Sequence, residues 1–317
     1  MTHRNTLAAV AAAAAFAATV SHAQDFPSQP ITINHGSAAG ANQDVMLREL
    51  AQALEGVAGV PVVVEPRPGG SGQVAMARVQ GQAPDGHTIF SDGTGITAIL
   101  QMEGASYSMD DFRPLYRIQL DPLAIYVDDD SSMGSVDELL EAMRAAPADI
   151  RIGGYGTATP FQFMALTLAE AAGVEPNWVP YNSGADAITA VMAGDLEVAI
   201  SNISAYDRFR ENTHVIAVSS DERVEGHDDV ATLIEQGYPI ERYHWRGMFV
   251  HGDTPDDVTE SLHQLIDEAV ATPRFQDYLK RTSTLSGSMT RDAFQTMLEE
   301  QASSDRERML QLGLIEE

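Results

Sequence analysis

The chain of 317 residues carries 46 acidic against 19 basic side chains, a formal charge of −27, and no cysteine. Such a surface repels a polyanion, and no basic stripe with interleaved aromatics offsets it, which excludes nucleic acid as a partner. The missing cysteines exclude disulfides, thiolate nucleophiles and thiolate metal sites, so burial alone must stabilise the fold. The acids are dispersed, as in Asp128-Asp129-Asp130, Asp256-Asp257 and Glu316-Glu317, and Lys280 is the single lysine. This pattern predicts a solvated acidic surface suited to high salt, because at ~1 M the screening length is only ~3 Å.

In chain order the first element is a leader. After His3 and Arg4, residues 7–20 are almost entirely Ala, Val, Leu and Phe, and Ser21-His22-Ala23 follow. The run is short for a bilayer crossing and ends in small residues, so 1–23 is expected to be a cleaved signal peptide that delivers the protein to the periplasm. No later window approaches the ~20 apolar residues of a membrane helix, so direct membrane insertion is not expected.

Short β-type runs then alternate with helical ones: Ile31-Thr32-Ile33, a helix from about Asp44, Val62-Val63-Val64, a helix near Val74, and His87 to Phe90. In the first helix Leu47, Leu50, Ala51 and Leu54 form one buried face, and Gly56 is expected to end it. The alternation continues with Ala124 to Val127, a helix opened by a Ser135/Glu138 capping box, Ile150 to Gly153, and a helix from Phe161 to Ala172. Trp178 to Tyr181 and Val198 to Ile200 flank a helix around Ala187 to Ala193, and Val215 to Val218 adds a strand. After Met248-Phe249-Val250 the chain reads as three helices, two of them opened by Thr254-Pro255 and Thr272-Pro273, each a cap followed by proline at the first helical position. The predicted class is α/β: two α/β domains joined by two crossovers near residues 122 and 247, with a helical C-terminal extension. Lobe 1 comprises 24–122 plus 247–317, and lobe 2 comprises 123–246.

No catalytic constellation is legible. Gly36-Ser37-Ala38-Ala39-Gly40 lacks the spacing of a nucleophile elbow, and no H-E-x-x-H, Walker lysine or complete G-x-G-x-x-G motif occurs. The histidines, among them His35, His87, His214, His244, His251 and His263, are scattered singly without metal-ligand spacing. No cofactor and no metal are therefore expected, and the chain is not read as an enzyme. Three small-residue turns stand out, each after a strand and before a helix: Ser37 to Asp44, Pro68 to Gln73 with Ser71 at its centre, and Tyr155 to Pro160. Backbone N–H groups at a helix start are unpaired and sit at the positive end of the dipole, so such turns can hold a carboxylate without a charged side chain.

Pro27-Ser28-Gln29-Pro30-Ile31-Thr32, Ala39 to Asp44, Val62 to Gly69 with its E-x-R-P-G core, Ala83-Pro84-Asp85-Gly86-His87-Thr88, Val179-Pro180-Tyr181 and Thr254-Pro255 resemble, in order and spacing, the solute-binding proteins of tripartite tricarboxylate transporters. The resemblance implies a two-lobed periplasmic-binding-protein fold that closes on a small organic carboxylate and delivers it, as a monomer, to a large and a small membrane transporter subunit. Carried over residue by residue, it places Ser37, Ala38, Gly40, Ala41 and Asn42 on one wall of the cleft, and the second helix-start turn adds Ser71 as a candidate contact. Gly156, Thr157, Thr159 and Gln162 stand on the other wall, completed by Tyr181, Asn182, Ser183, Ser201 and Asn202.

Departures from the family pattern bear on the ligand. His35-Gly36-Ser37 replaces a usual V-P-F, Ala41 a glycine, Gln162 a histidine and Ser201 an aspartate, which implies a neutral, hydrogen-bonding pocket rather than one built around an ammonium group. Arg246 takes a position usually aromatic, and a guanidinium there is expected to pair with a distal ligand carboxylate. A periplasmic sensor that presents its closed form to a membrane kinase is the alternative reading, and a secreted hydrolase a third.

Overall fold

The computed structural model describes residues 26–316, so the expected leader at 1–23 lies outside the described residues. Apolar alternation and strand–helix spacing produce two parallel units. In the first, β1 (Ile31–His35), β2 (Val62–Pro66) and β3 (Thr88–Gly93) pair in the order β2-β1-β3, linked by α1 (Asn42–Ala58) and α2 (Gln73–Gln80). In the second, β5 (Arg151–Tyr155), β6 (Asn177–Tyr181) and β7 (Val198–Asn202) pair as β6-β5-β7, with α5 (Pro160–Ala172) and α6 (Gly184–Met192) between them. α3 (Ile96–Ile99) follows β3, and α4 (Val136–Ala145) precedes β5.

The link between the units is β4 (Phe112–Asp128), a strand of 17 residues. Its first part, Phe112 to Pro122, runs antiparallel to β9 (Tyr243–His251), which also pairs with β3. Its second part, from Leu123, lies between β7 and β8 (Thr213–Val218). The strand thus changes sheet partners at Pro122–Leu123. Sequence reading recognised only Ala124 to Val127, because Pro114 and Pro122 argue against a strand. The register shifts next to Pro114, where a bulge accommodates the missing N–H. The chain closes with α8 (Asp256–Val270), α9 (Pro273–Arg281), the short β10 (Leu285–Ser286) against β4, and α10 (Arg291–Gln311), while the single-turn α7 (Tyr206–Phe209) precedes β8.

Helices cover both faces of each half. Leu47, Leu50 and Leu54 of α1 pack with Leu262 and Ile266 of α8 and with Phe275 of α9 over Ile31, Ile33 and Tyr116. Ala75 and Met76 of α2 meet Phe90, Phe249 and Phe294 on the opposite face. In the second half Leu139, Leu140, Met164 and Leu168 cover one face, and Ile188, Val191 and Phe209 the other. The end of α10 reaches across: Met309 packs with Ala98 of α3 and Phe163 of α5.

Two helix ends differ from expectation. Gly56 does not end α1, which continues to Ala58 and stops at Gly59 in the left-handed region, φ 70. Val57 and Ala58 are held against the core, and that packing outweighs the roughly 1 kcal/mol cost of a mid-helix glycine. At α8, Pro255 itself occupies the cap position and Thr254 makes no side-chain cap bond. The other cap residues act as expected. Ser135 caps α4, though Glu138 Oε2 accepts from Gly134 N–H at 2.8 Å rather than from Ser135 N–H, so the expected box is half formed, and Thr272 caps α9 with Pro273 in its first turn.

Candidate functional site

The carboxyl ends of both parallel strand sets open onto turns, the place where open α/β sheets bind ligands. After β1 the chain runs through Gly36 to Ala41 into α1. Ala41 provides no side-chain cap, and the N–H groups of Asn42, Gln43 and Asp44 have no acceptor among the described residues. The turn is braced from behind. Gly40 N–H donates to Asp44 Oδ2 at 2.9 Å, Ser37 Oγ donates to Gln43 Oε1 at 2.7 Å, and Gln43 Nε2 donates to the Ser91 carbonyl at 3.0 Å.

Asp44 is the anchor of this brace. Arg48 donates to both its oxygens at 2.9 Å, and the buried His35 Nε2 reaches Oδ1 at 3.1 Å. The Arg48 guanidinium holds the Asp44 carboxyl down to about 2. Burial lowers His35, so it serves as a neutral donor. His35, at the end of β1, therefore helps to secure the turn.

The second turn, Gly69 to Gly72, comes into contact with the first: a Cβ on Gly36 would lie 2.6 Å from Gly72 Cα. Ser71 is exposed in the left-handed region, φ 51, and Gly72 at φ 93 precedes α2, which also lacks a side-chain cap. Asp92, at the end of β3, lies directly beneath: its Oδ2 is 2.9 Å from where a Gly72 Cβ would be. Burial pushes this carboxyl up to about 7, against a lowering effect of the Gly93 N–H.

The floor between the two halves is the β4–β9 pair. Asp121 is buried and accepts from Arg246 Nη1 at 2.6 Å, from Asn202 Nδ2 at 2.9 Å and from Gln119 Nε2. Arg246 is itself buried, 6% exposed. Its charge is met within the protein, which modifies the expectation of a guanidinium held in reserve for a ligand. His244, opposite Asp121, abuts Gly93 and meets the Phe161 ring of α5 edge-on at 5.7 Å. Burial, then the nearby Arg246, depress His244 to about 4, so it is neutral at physiological pH.

The second wall is more internally bonded than the sequence suggests. Gly156 N–H donates to the Tyr181 carbonyl at 3.0 Å, and its own carbonyl accepts from Trp178 Nε1 at 3.1 Å. Thr159 caps α5 and donates to the Tyr155 carbonyl at 2.7 Å, while Gln162 Oε1 takes the Ala158 N–H at 2.7 Å. Ser183 caps α6, and Ser201 is buried beneath Gly184. Thr157 and Asn182 are exposed and Tyr181 is half-buried. Register joins the two turns of this wall, with Tyr155 opposite Tyr181.

The sequence pattern singles out the turns but gives no role to Asp44 as their brace, nor to Asp92, Asp121 or His244. Asp92-Gly93 after a strand was the one local signal available; the others gain meaning only from long-range pairing. A separate pocket of about 350 Å³ lies on the Leu120–Trp245 face of the β4–β9 pair, lined also by Phe163, Arg242 and Gln301. Of the predicted turns only the third reaches it, through Ala158 and Pro160.

Residues 46–313 match the family described as tripartite tricarboxylate transporter family receptor. Among solved structures, a solute-binding protein of that type from Polaromonas is 25% identical, with a TM-score of 0.80 over 90% of this chain and 99% of that one. Rpa4515 of Rhodopseudomonas palustris, solved with adipate, is 22% identical with a TM-score of 0.76, covering 91% and 99%. MatC of the same organism, solved with malate, is 21% identical with a TM-score of 0.72, covering 89% and 99%.

Proposed function

Because this chain belongs to the receptor family of the tripartite tricarboxylate transporters, we propose that it is a periplasmic solute-binding protein that captures a small organic carboxylate between its lobes and delivers it to membrane transporter subunits. The lobes are taken as 24–122 plus 247–317 and 123–246, with one crossover in β4. The observation that carries the ligand class is the uncapped start of α1, whose first N–H groups lie at the carboxyl end of β1 with no acceptor among the described residues. A carboxylate there receives backbone hydrogen bonds and the helix dipole together. The malate and adipate of the two Rhodopseudomonas proteins fit that class.

The ligand-contact set is Ser37, Ala38, Gly40, Ala41 and Asn42, with Ser71 beside them, facing Gly156, Thr157, Tyr181 and Asn182. Thr159, Gln162, Ser183, Ser201 and Asn202 shape the second wall through the bonds described, and Arg246 supports the floor through Asp121. Such a site binds and releases without chemistry. Among the described residues no helix is long and apolar enough to cross a membrane, and the leader at 1–23 supplies export. A thermal-shift screen of mono-, di- and tricarboxylates tests the reading, since a ligand at 100 times its dissociation constant adds about 2.7 kcal/mol. A flat screen would remove it.

A further inference from the structure

Asp92 and His244 share a placement unlike the rest of the site. Each is half-buried, Asp92 on β3 and His244 on the adjoining β9, and burial is the first cause acting on the acidity of both. Asp92 Oδ1 accepts only its own Gly93 N–H, at 2.8 Å, and Oδ2 has no donor among the described residues. The first turn of α1 is bonded to Ser91, the residue before it, and the Gly70–Gly72 turn lies over its carboxyl. Asp92 therefore sits beside the two uncapped helix starts.

Apart from Arg78 of α2, the cationic groups on the elements packed around Asp92 are already committed. On β1 and α1, His35 and Arg48 serve Asp44; after β2, Arg67 serves Glu65 at 2.7 Å. On β9, Arg246 serves Asp121 of β4, and His244 is neutral. Arg78 is the single charge on α2 and makes no bond to Asp92. The only influences on the acidity of Asp92 are burial and the Gly93 N–H. Arg78 has no acidic partner among the described residues but does not act on Asp92, so no cation beside this carboxyl is left to neutralise an incoming acid.

We propose that Asp92 is a specificity-determining contact that takes up a proton when a ligand carboxylate enters the cleft and donates it as a hydrogen bond from Oδ2. The inference rests on the carboxylate-binding reading. Two carboxylates brought together in a desolvated site cannot both stay ionised, so one proton moves from solvent to Asp92 and none is lost by the ligand. The cleft thereby accepts an anion plus a proton, and it discriminates against acids offered at alkaline pH. A group that titrates near 7 and must be protonated for binding makes affinity fall about ten-fold from about pH 6 to about pH 8.

The test uses malate and adipate with the full mature chain. Thermal shift at about pH 6 first establishes that either acid binds. Isothermal titration across the pH window, in buffers of different ionisation enthalpy, then reads affinity and proton uptake for wild type and Asp92→Asn. Carboxyl NMR follows the Asp92 resonance, identified by its loss in the variant. The expected result is a midpoint near 7 that rises with malate, net proton uptake, and a pH-flat affinity in Asp92→Asn. Binding without proton uptake, or an Asp92 midpoint in the ordinary carboxylate range, overturns the inference and leaves the carboxylate reading standing. Absence of any thermal shift with both acids and with the wider screen removes that reading, and this inference with it.

Discussion

The Arg246–Asp121 pair permits a decisive perturbation. Both side chains are almost fully buried, 8% and 5% exposed, and joined at 2.6 Å. Replacing Arg246 with Met keeps the bulk but leaves the Asp121 carboxylate with only the amides of Asn202 and Gln119. Removing one partner of a buried pair costs about 3–5 kcal/mol, whereas replacing both partners is often neutral or stabilising. Urea unfolding of Arg246→Met should therefore show a loss of about 3 kcal/mol or more, and Asp121→Leu/Arg246→Met should recover most of it. At about 2–4 °C per kcal/mol for a large domain, the single variant should also melt roughly 6 °C or more lower. A loss below about 1 kcal/mol would place the pair in the range of exposed ion pairs and refute the reasoning. Intact stability with lost carboxylate affinity would instead return Arg246 to the role of a free ligand contact.

Three further outcomes follow from the same geometry. Asp44 is depressed by the Arg48 bond to about 2, so its contribution of about 2 kcal/mol is present above the unfolded carboxylate range and is lost as pH falls from about 4 toward 2. Acid unfolding of Asp44→Asn should lack that component, and identical acid limbs for variant and wild type would contradict it. Gly72→Ala combines φ 93 with a Cβ 2.9 Å from Asp92 Oδ2, so denaturant unfolding should show a loss of about 1–3 kcal/mol; a neutral substitution would mean that Gly72 does not lie over Asp92 in the left-handed conformation described. With a formal charge of −27, the melting temperature should fall when salt is removed and recover with added salt, and a salt-independent value would show that surface repulsion is negligible.

Much of the fold was legible because its parallel units obey local rules. Leu47, Leu50 and Leu54 declare the buried face of α1, and Ser135 and Thr272 announce their helices. β4 was legible only in part, since Pro114 and Pro122 signal interruption while a bulge and pairing with β9 make a continuous strand. At the candidate site, the strand–turn–helix order expected of the three turns is the order observed. Which donors stay free was not legible. Thr159 and Ser183, expected as ligand hydroxyls, also cap α5 and α6, and the Gly156 N–H is bonded to the Tyr181 carbonyl. Asp121 and Arg246, 125 positions apart, acquire their relation only when β4 and β9 pair.

The claim that a carboxylate sits at the start of α1 is tested most directly by removing one backbone donor there. Asn42 is the first residue of α1, and the preceding Ala41 is already extended at φ −67, ψ 160, which suits a residue before proline. Proline is well tolerated at that first position and lacks the N–H. Asn42→Pro should therefore keep the wild-type melting temperature without ligand. In isothermal titration with the acid that gives the largest thermal shift, it should bind about ten-fold or more weakly, the loss of one charge-assisted hydrogen bond at about 1.5–3 kcal/mol. Unchanged affinity in a folded Asn42→Pro protein would contradict the account.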